Sequence, residues 1–259
     1  LDGTTDFLEH LTLTAGAGNI TFTGVVGGSE DLGNIIIATA GTVLFSQNLS
    51  ANTITQQAGS VLTTFSKPVL LEAVGGMSIT GTAITFAANA TVNTEAAGNI
   101  GVVTIVNSGT LTINTGADMT LDGAFNQSGG GAVLTAGDIV TSNAAIFFTD
   151  DVTLTDAHTV AMTSAGGAIT FTDTLDGTTD FLEHLTLTAG AGDITFTGVV
   201  GDDTALGDVV IVSATNAVAD LAFTAKSVTQ NAGAGLTTFT GAVNTTGADD
   251  TVGGAVDIT

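Results

Sequence analysis

Residues 1–27 read LDGTTDFLEHLTLTAGAGNITFTGVVG, and residues 175–201 read LDGTTDFLEHLTLTAGAGDITFTGVVG, one letter apart at Asn19 against Asp193. Further along the chain the offset of 174 persists without insertion or deletion. Leu32-Gly33 returns as Leu206-Gly207, TITQQAG at 53–59 as SVTQNAG at 227–233, and VLTTF at 61–65 as GLTTF at 235–239. The chain divides into one complete long repeat, residues 1–174, and the first half of a continuous second copy, residues 175–259. Repetition on this scale builds length or a periodic surface, neither of which an active site needs.

Within the repeated block, LTLT at 11–14 and ITFT at 20–23 alternate apolar residues with threonine. The same pattern recurs as TLTI at 110–113, VTLT at 152–155 and ITFT at 169–172. Period two marks strands with one buried and one wet face, and threonine suits the wet face because β-branching favours extended backbone. Clusters such as AGAGN, VGGSED, SGGGA and SAGGA separate these runs and read as tight turns. Apolar residues do not recur at helical spacing, and 35 glycines argue further against helices. Pro68 stands between two strand-like runs and marks a corner.

Short strands every seven to ten residues fit a β-solenoid or a β-sandwich. The tripeptide Ile-Thr-Phe occurs at 20–22, 84–86, 169–171 and 194–196, with gaps of 64, 85 and 25. Coils of about 21–22 residues convert these gaps into three, four and one turns and place about eight coils in each long repeat. Phe22, Phe86, Phe171 and Phe196 then take equivalent inward positions. The expectation is an all-β, right-handed parallel β-solenoid. A tandem array of Ig-like β-sandwiches is the alternative, weakened by the absence of a core Trp or Tyr.

Composition narrows the function. Lys67 and Lys226 face 25 acidic residues, arginine is absent, and the formal charge is −23. Nucleic acid and anionic membranes are excluded as partners because both demand a basic footprint. Only 10% of residues are charged and 44% are hydrophobic, so the chain has the material for a core and is not an acidic disordered tail. With no cysteine there are no disulfides or thiolate metal sites. No run approaches the roughly 18 apolar residues of a membrane-spanning helix. The opening lacks Met and a signal-like segment, and the sequence reads as an excerpt whose ends are covered by more of the same chain or by another subunit.

The stretch TLTAGAGNITFTGVVG at 12–27, with TLTAGAGDITFTGVVG at 186–201, resembles the β-strand-repeat segments of giant secreted bacterial surface proteins, the filamentous-haemagglutinin-like adhesins. That resemblance implies parallel β-helix rods displayed outside the cell as adhesins, fibres or sheath material.

Few residues invite chemistry. Asp6, Glu9 and His10, repeated as Asp180, Glu183 and His184, could hold a metal, but the whole block around them is equally repeated. They read as a corner with its charges in water. Glu30-Asp31, Asp150-Asp151, Asp202-Asp203 and Asp249-Asp250 suggest calcium loops yet lack the EF-hand spacing, and solvated loops are the simpler reading. A polysaccharide-acting solenoid enzyme would need clustered carboxylates with basic partners; His158 stands alone and the lysines are not equivalent. The Thr-x-Thr pairs at 12/14, 21/23, 153/155, 186/188 and 195/197 would bind ice only if stacked on one face. Sequons at Asn19, Asn48, Asn89, Asn126 and Asn244 are expected by chance in a chain this rich in Asn and Thr. No catalytic, cofactor or metal residue is assigned, with calcium the one cofactor kept open. The expected function is a noncatalytic, acidic structural rod of an extracellular bacterial fibre, sheath or adhesin stalk. Its expected partner is itself, through end-to-end stacking or chain continuation, with a host or neighbouring-cell surface as a second. A ligand-binding adhesin region is the alternative.

Overall fold

The computed structural model describes residues 1–94, 100–245 and 255–258, and among these it is all-β, without a helix. Every strand pairing among the described residues is parallel and joins segments roughly one coil apart. An Ig-like sandwich would be antiparallel, so the sandwich alternative falls and the solenoid stands.

Each coil crosses three ladders. The first runs Leu11, Ile35, Ile54, Met77, Val103, Phe125, Ile146, Ile169, Ile194, Ala217 and Thr237. A second begins Ile20, Val43, Thr63 and Ile84, and continues through Leu111, Val133, Val152, Leu175, Val200 and Phe223 to Val243. The third begins Val26, Leu49, Val69 and Val92, and passes through Met119, Ile139, Met162, Leu187 and Ile211 to Gln230. The molecule is thus a stack of about ten coils with an apolar interior closed on three sides.

Alternation produces this directly. In Val103–Asn107 and His184–Thr188 every second side chain is buried, and the intervening Thr104, Val106, Thr186 and Thr188 stay at the surface. Stacking like on like then builds columns. Phe22, Phe45, Phe65 and Phe86 stack nearly parallel, with ring centroids 4.6–5.1 Å apart. Phe148, Phe171 and Phe196 form a second stack at 5.4 Å. Each fully buried phenylalanine contributes about 1.5–3 kcal/mol relative to exposure, and the ring pairs add to this.

Two sequence expectations are corrected here. Phe22 and Phe86 lie on the second ladder, three coils apart, whereas Phe171 and Phe196 lie on the first. The four phenylalanines therefore occupy two columns, and the gap of 85 is three and two-thirds coils. The long repeat likewise spans seven and two-thirds coils of about 23 residues, not eight of 21–22. Leu11 sits on the first ladder while its counterpart Leu185 pairs with Val160 and Val209 on the third. Coil lengths vary because corners vary: Ile35 to Ile54 takes 19 residues and Met77 to Val103 takes 26.

Corners use the residues the turns demand. Gly27 and Gly201 have φ of 66° and 67°, and a Cβ at either would collide with the Ser50 or Thr224 carbonyl of the next coil. Each donates its N–H to the first residue of its block, Leu1 at 2.7 Å and Leu175 at 2.8 Å. Pro68 lies, as expected, in the turn between Gly59–Phe65 and Val69–Gly81.

Candidate functional site

The repeated acidic segment is the strongest candidate, and both copies adopt the same geometry. A turn with positive φ at Phe7 (62°) and Phe181 (67°) carries four polar side chains, three aimed at the chain returning one coil later and the fourth, Glu9 or Glu183, turned back on its own turn. Asp2 accepts from the amides of Gly28 and Ser29, the latter at 3.2 Å, and Asp176 accepts from Asp203 at 3.1 Å. Asp6 accepts from the Asp31 amide and Asp180 from that of Ala205, both at 2.9 Å. The Nδ1 atoms of His10 and His184 accept from the amides of Asn34 (2.8 Å) and Asp208 (2.7 Å). Glu9 accepts from the Thr4 hydroxyl and the Thr5 amide, and Glu183 from Thr178 Oγ1 (2.6 Å) and the Thr179 amide (3.1 Å).

These acceptors satisfy backbone donors that a corner would otherwise leave unpaired. The segment is a corner, as expected, but its charges are not all in water. Glu183 is 1% exposed. Its carboxylate folds back over its own turn because hydrogen bonds from Thr178 and Thr179 replace hydration. The Asp, Glu and His of the segment thus act separately, each on its own amide. Among the described residues no group of three or more His, Asp and Glu side chains is placed to share a metal ion.

Electrostatics follow the same contacts. The Gly28 and Ser29 amides hold the Asp2 carboxyl below its ordinary value, and the Thr4 hydroxyl does the same for Glu9. Glu30 is pushed up, chiefly by the charge of Asp6.

The remaining acidic pairs also serve the coil. Asp150 accepts from Gln127 Nε2 and the Gly130 amide, each at 2.9 Å, and Asp151 accepts from Thr174 Oγ1 at 2.9 Å. Asp249-Asp250 lies outside the described residues. His158 is exposed at a corner, and its carbonyl accepts from the His184 amide at 2.9 Å. The threonine pairs are dispersed: Thr12 and Thr195 face outward on the first ladder, Thr21 and Thr153 on the second, and Thr186 on the third. They do not stack into one threonine face.

No sequence motif marks the buried amides. Gln56 is 1% exposed and accepts from Thr63 Oγ1 at 2.8 Å; its counterpart Gln230 accepts from Thr237 Oγ1 at 2.7 Å. Asn107 and Gln127, both fully buried, are linked at 2.8 Å. Parity was the available signal, since Gln56 follows Ile54 by two and must share its inward face.

The copies also differ in compensating pairs. Asn34 and Asn52, bonded at 3.0 Å, become Asp208 and Lys226, 3.8 Å apart. Phe45 and Leu49 become Ala219 and Phe223, so the ring lost at one inward position reappears four residues later. Phe223 packs edge-on to Phe196 at 5.4 Å and to Phe239 at 5.7 Å. Partners across a coil therefore change together, which is what a fixed stacking contact requires.

No helix of the described residues is long and apolar enough to cross a membrane. Comparison with protein-family models, curated proteins and solved structures finds no match, so the functional reading rests on the coil itself.

Proposed function

We propose that this chain is a noncatalytic structural segment of an extracellular bacterial surface rod: a fibre, a sheath or the stalk of an adhesin. The observation that carries the reading is the junction at residue 175. There the second copy of the block continues every ladder laid down by residues 152–174, through Val152–Leu175, Val160–Leu185 and Ile169–Ile194. Repetition adds length without adding a new domain or a new site. Continuous parallel ladders and stacked Ile, Leu, Val and Phe stiffen the rod, and a surface with 25 acidic residues against two lysines opposes side-by-side sticking.

The partner in this reading is the chain itself. Leu11, Ile20 and Phe22 are only half-buried, whereas their counterparts Leu185, Ile194 and Phe196 are buried beneath a preceding coil. A coil like 152–174, supplied by chain continuation or by end-to-end stacking, completes that edge. Antibody raised to the 259-residue chain tests the proposal on intact cells. Gold-labelled filaments or a labelled surface layer are expected; labelling that appears only after the cells are permeabilised would reject an extracellular rod.

A further inference from the structure

We infer that the 174-residue repeat is a screw element: each copy carries its surface a third of the way round the rod, so a partner lying along one side meets equivalent blocks only at every third repeat. The first block places Leu11 on the first ladder, Ile20 on the second and Val26 on the third. In the second block Leu185 lies on the third ladder, Ile194 on the first and Val200 on the second. Every element of the block has moved by one side, in the same sense.

The move is a rigid rotation of the block and not a refolding. The bulge between Leu13 and Thr14 recurs between Leu187 and Thr188. Gly16 and Gly190 share a φ of 60°, and residue 19 or 193 accepts the same amide, that of Thr42 (3.2 Å) or Asn216 (2.9 Å). The three sides can be exchanged because all present inward Ile, Leu, Val and Phe at one strand spacing, so a strand that fits one fits the next.

At about 4.8 Å per coil, one repeat advances the block roughly 37 Å and turns it roughly 120°, and the starting side returns after three repeats, or 23 coils, roughly 110 Å along. Residues 1–174 hold 14 acidic residues and one lysine. An in-phase repeat would line these charges along fixed sides, whereas the rotated repeat distributes them around the rod. The acidic corner with Leu8 at its crest, 68% exposed, and its counterpart with Leu182, 48% exposed, are thus offered to different directions. Such a surface fits a partner that winds around the rod or neighbours placed on three sides. A flat partner engages one block in three.

The inference is independent of where the rod is displayed, and pulsed electron-spin distance measurement on the full 259-residue chain tests it. The chain has no native cysteine, so labels go only where they are introduced. Thr12 and Thr195 are eight steps apart on one ladder, at about 38 Å, and Thr12 and Thr186 occupy different sides. The T12C/T186C pair should therefore give the longer distance, although it is nine residues closer in sequence. Equal distances, or a shorter one for T12C/T186C, would overturn the screw. The pair T21C/T195C, 174 residues apart, provides a second instance. It should exceed the axial rise of about 37 Å, because the separation between two sides adds at right angles to that rise, and a distance equal to that rise would also overturn the inference.

Discussion

Phe223 and Ala219 should be energetically coupled, and the other half of the chain supplies the control. In the first copy the equivalent core holds Phe45 stacked between Phe22 and Phe65, with Leu49 beside it. In the second, Ala219 leaves that place open and the Phe223 ring turns edge-on to fill it, leaving a narrow void lined by Phe196, Ile211, Ala217 and Phe239. F223L removes the compensating ring from a site 1% exposed and should cost about 1–2 kcal/mol, below the range for Phe→Ala because the leucine still fills part of the space. A219F alone forces two rings into one space and should cost about 1–3 kcal/mol through overpacking. The double variant A219F/F223L recreates the first copy's packing and should fall within about 1 kcal/mol of the unaltered chain, giving a coupling of roughly 2–4 kcal/mol. Because a solenoid opens locally, native-state amide exchange at Val209, Ile211 and Val228 is the assay. Each single variant should speed exchange there about fivefold to a hundredfold, with the double largely restoring protection, at about tenfold per 1.4 kcal/mol. Additive effects would refute the claim that the two copies share one stacking geometry with a relocated ring.

Other variants probe the corners. G201A meets both a positive φ and the Thr224 carbonyl, and should destabilise the coil by about 2 kcal/mol or more in denaturant titration, whereas G24A, where a Cβ meets nothing within 4 Å, should cost less. T63V strands the buried Gln56 carbonyl and should cost about 1–3 kcal/mol, with Q56L/T63V closer to neutral than T63V alone. The acid response of the first corner divides by sign. Asp2 and Glu9, held below their ordinary values, stabilise it above the usual carboxylate range, and that support is lost as pH falls through their folded values. Glu30, raised by Asp6, acts oppositely, its repulsion setting in as pH rises through its folded value. E30T, which copies Thr204, should therefore slow amide exchange in residues 1–10 at pH 7 and leave it unchanged at a pH below the folded value of Glu30, where that carboxyl is uncharged.

Much of the fold was legible because alternation is a local property. The LTLT and ITFT runs declare strands and their inward faces wherever they occur, and the long repeat declares stacking. Alternation does not say which of three sides a strand occupies. The Ile-Thr-Phe echoes were therefore read as whole numbers of coils, although Phe86 and Phe171 lie on different ladders. Corner lengths hold that information, and they depend on cross-coil acceptors such as Asp2, Asp6 and Asn19 whose partners lie 23 to 27 residues away. Glu9 illustrates the limit. Parity points inward and charge points to water, and the outcome is decided by the two threonines of the turn: Thr4 and Thr5 donate to Glu9, and their equivalents Thr178 and Thr179 supply the hydrogen bonds that let Glu183 be buried.

Electron microscopy of the native rod, averaged with helical symmetry, tests the stacked, rotated repeat most directly. Seven and two-thirds coils per repeat give an axial spacing near 4.8 Å, a rise of roughly 37 Å and a turn of about a third per repeat. A rise of roughly 38 Å with no turn would mean eight whole coils and contradict the register found here, and beads without the 4.8 Å axial order would contradict the solenoid itself.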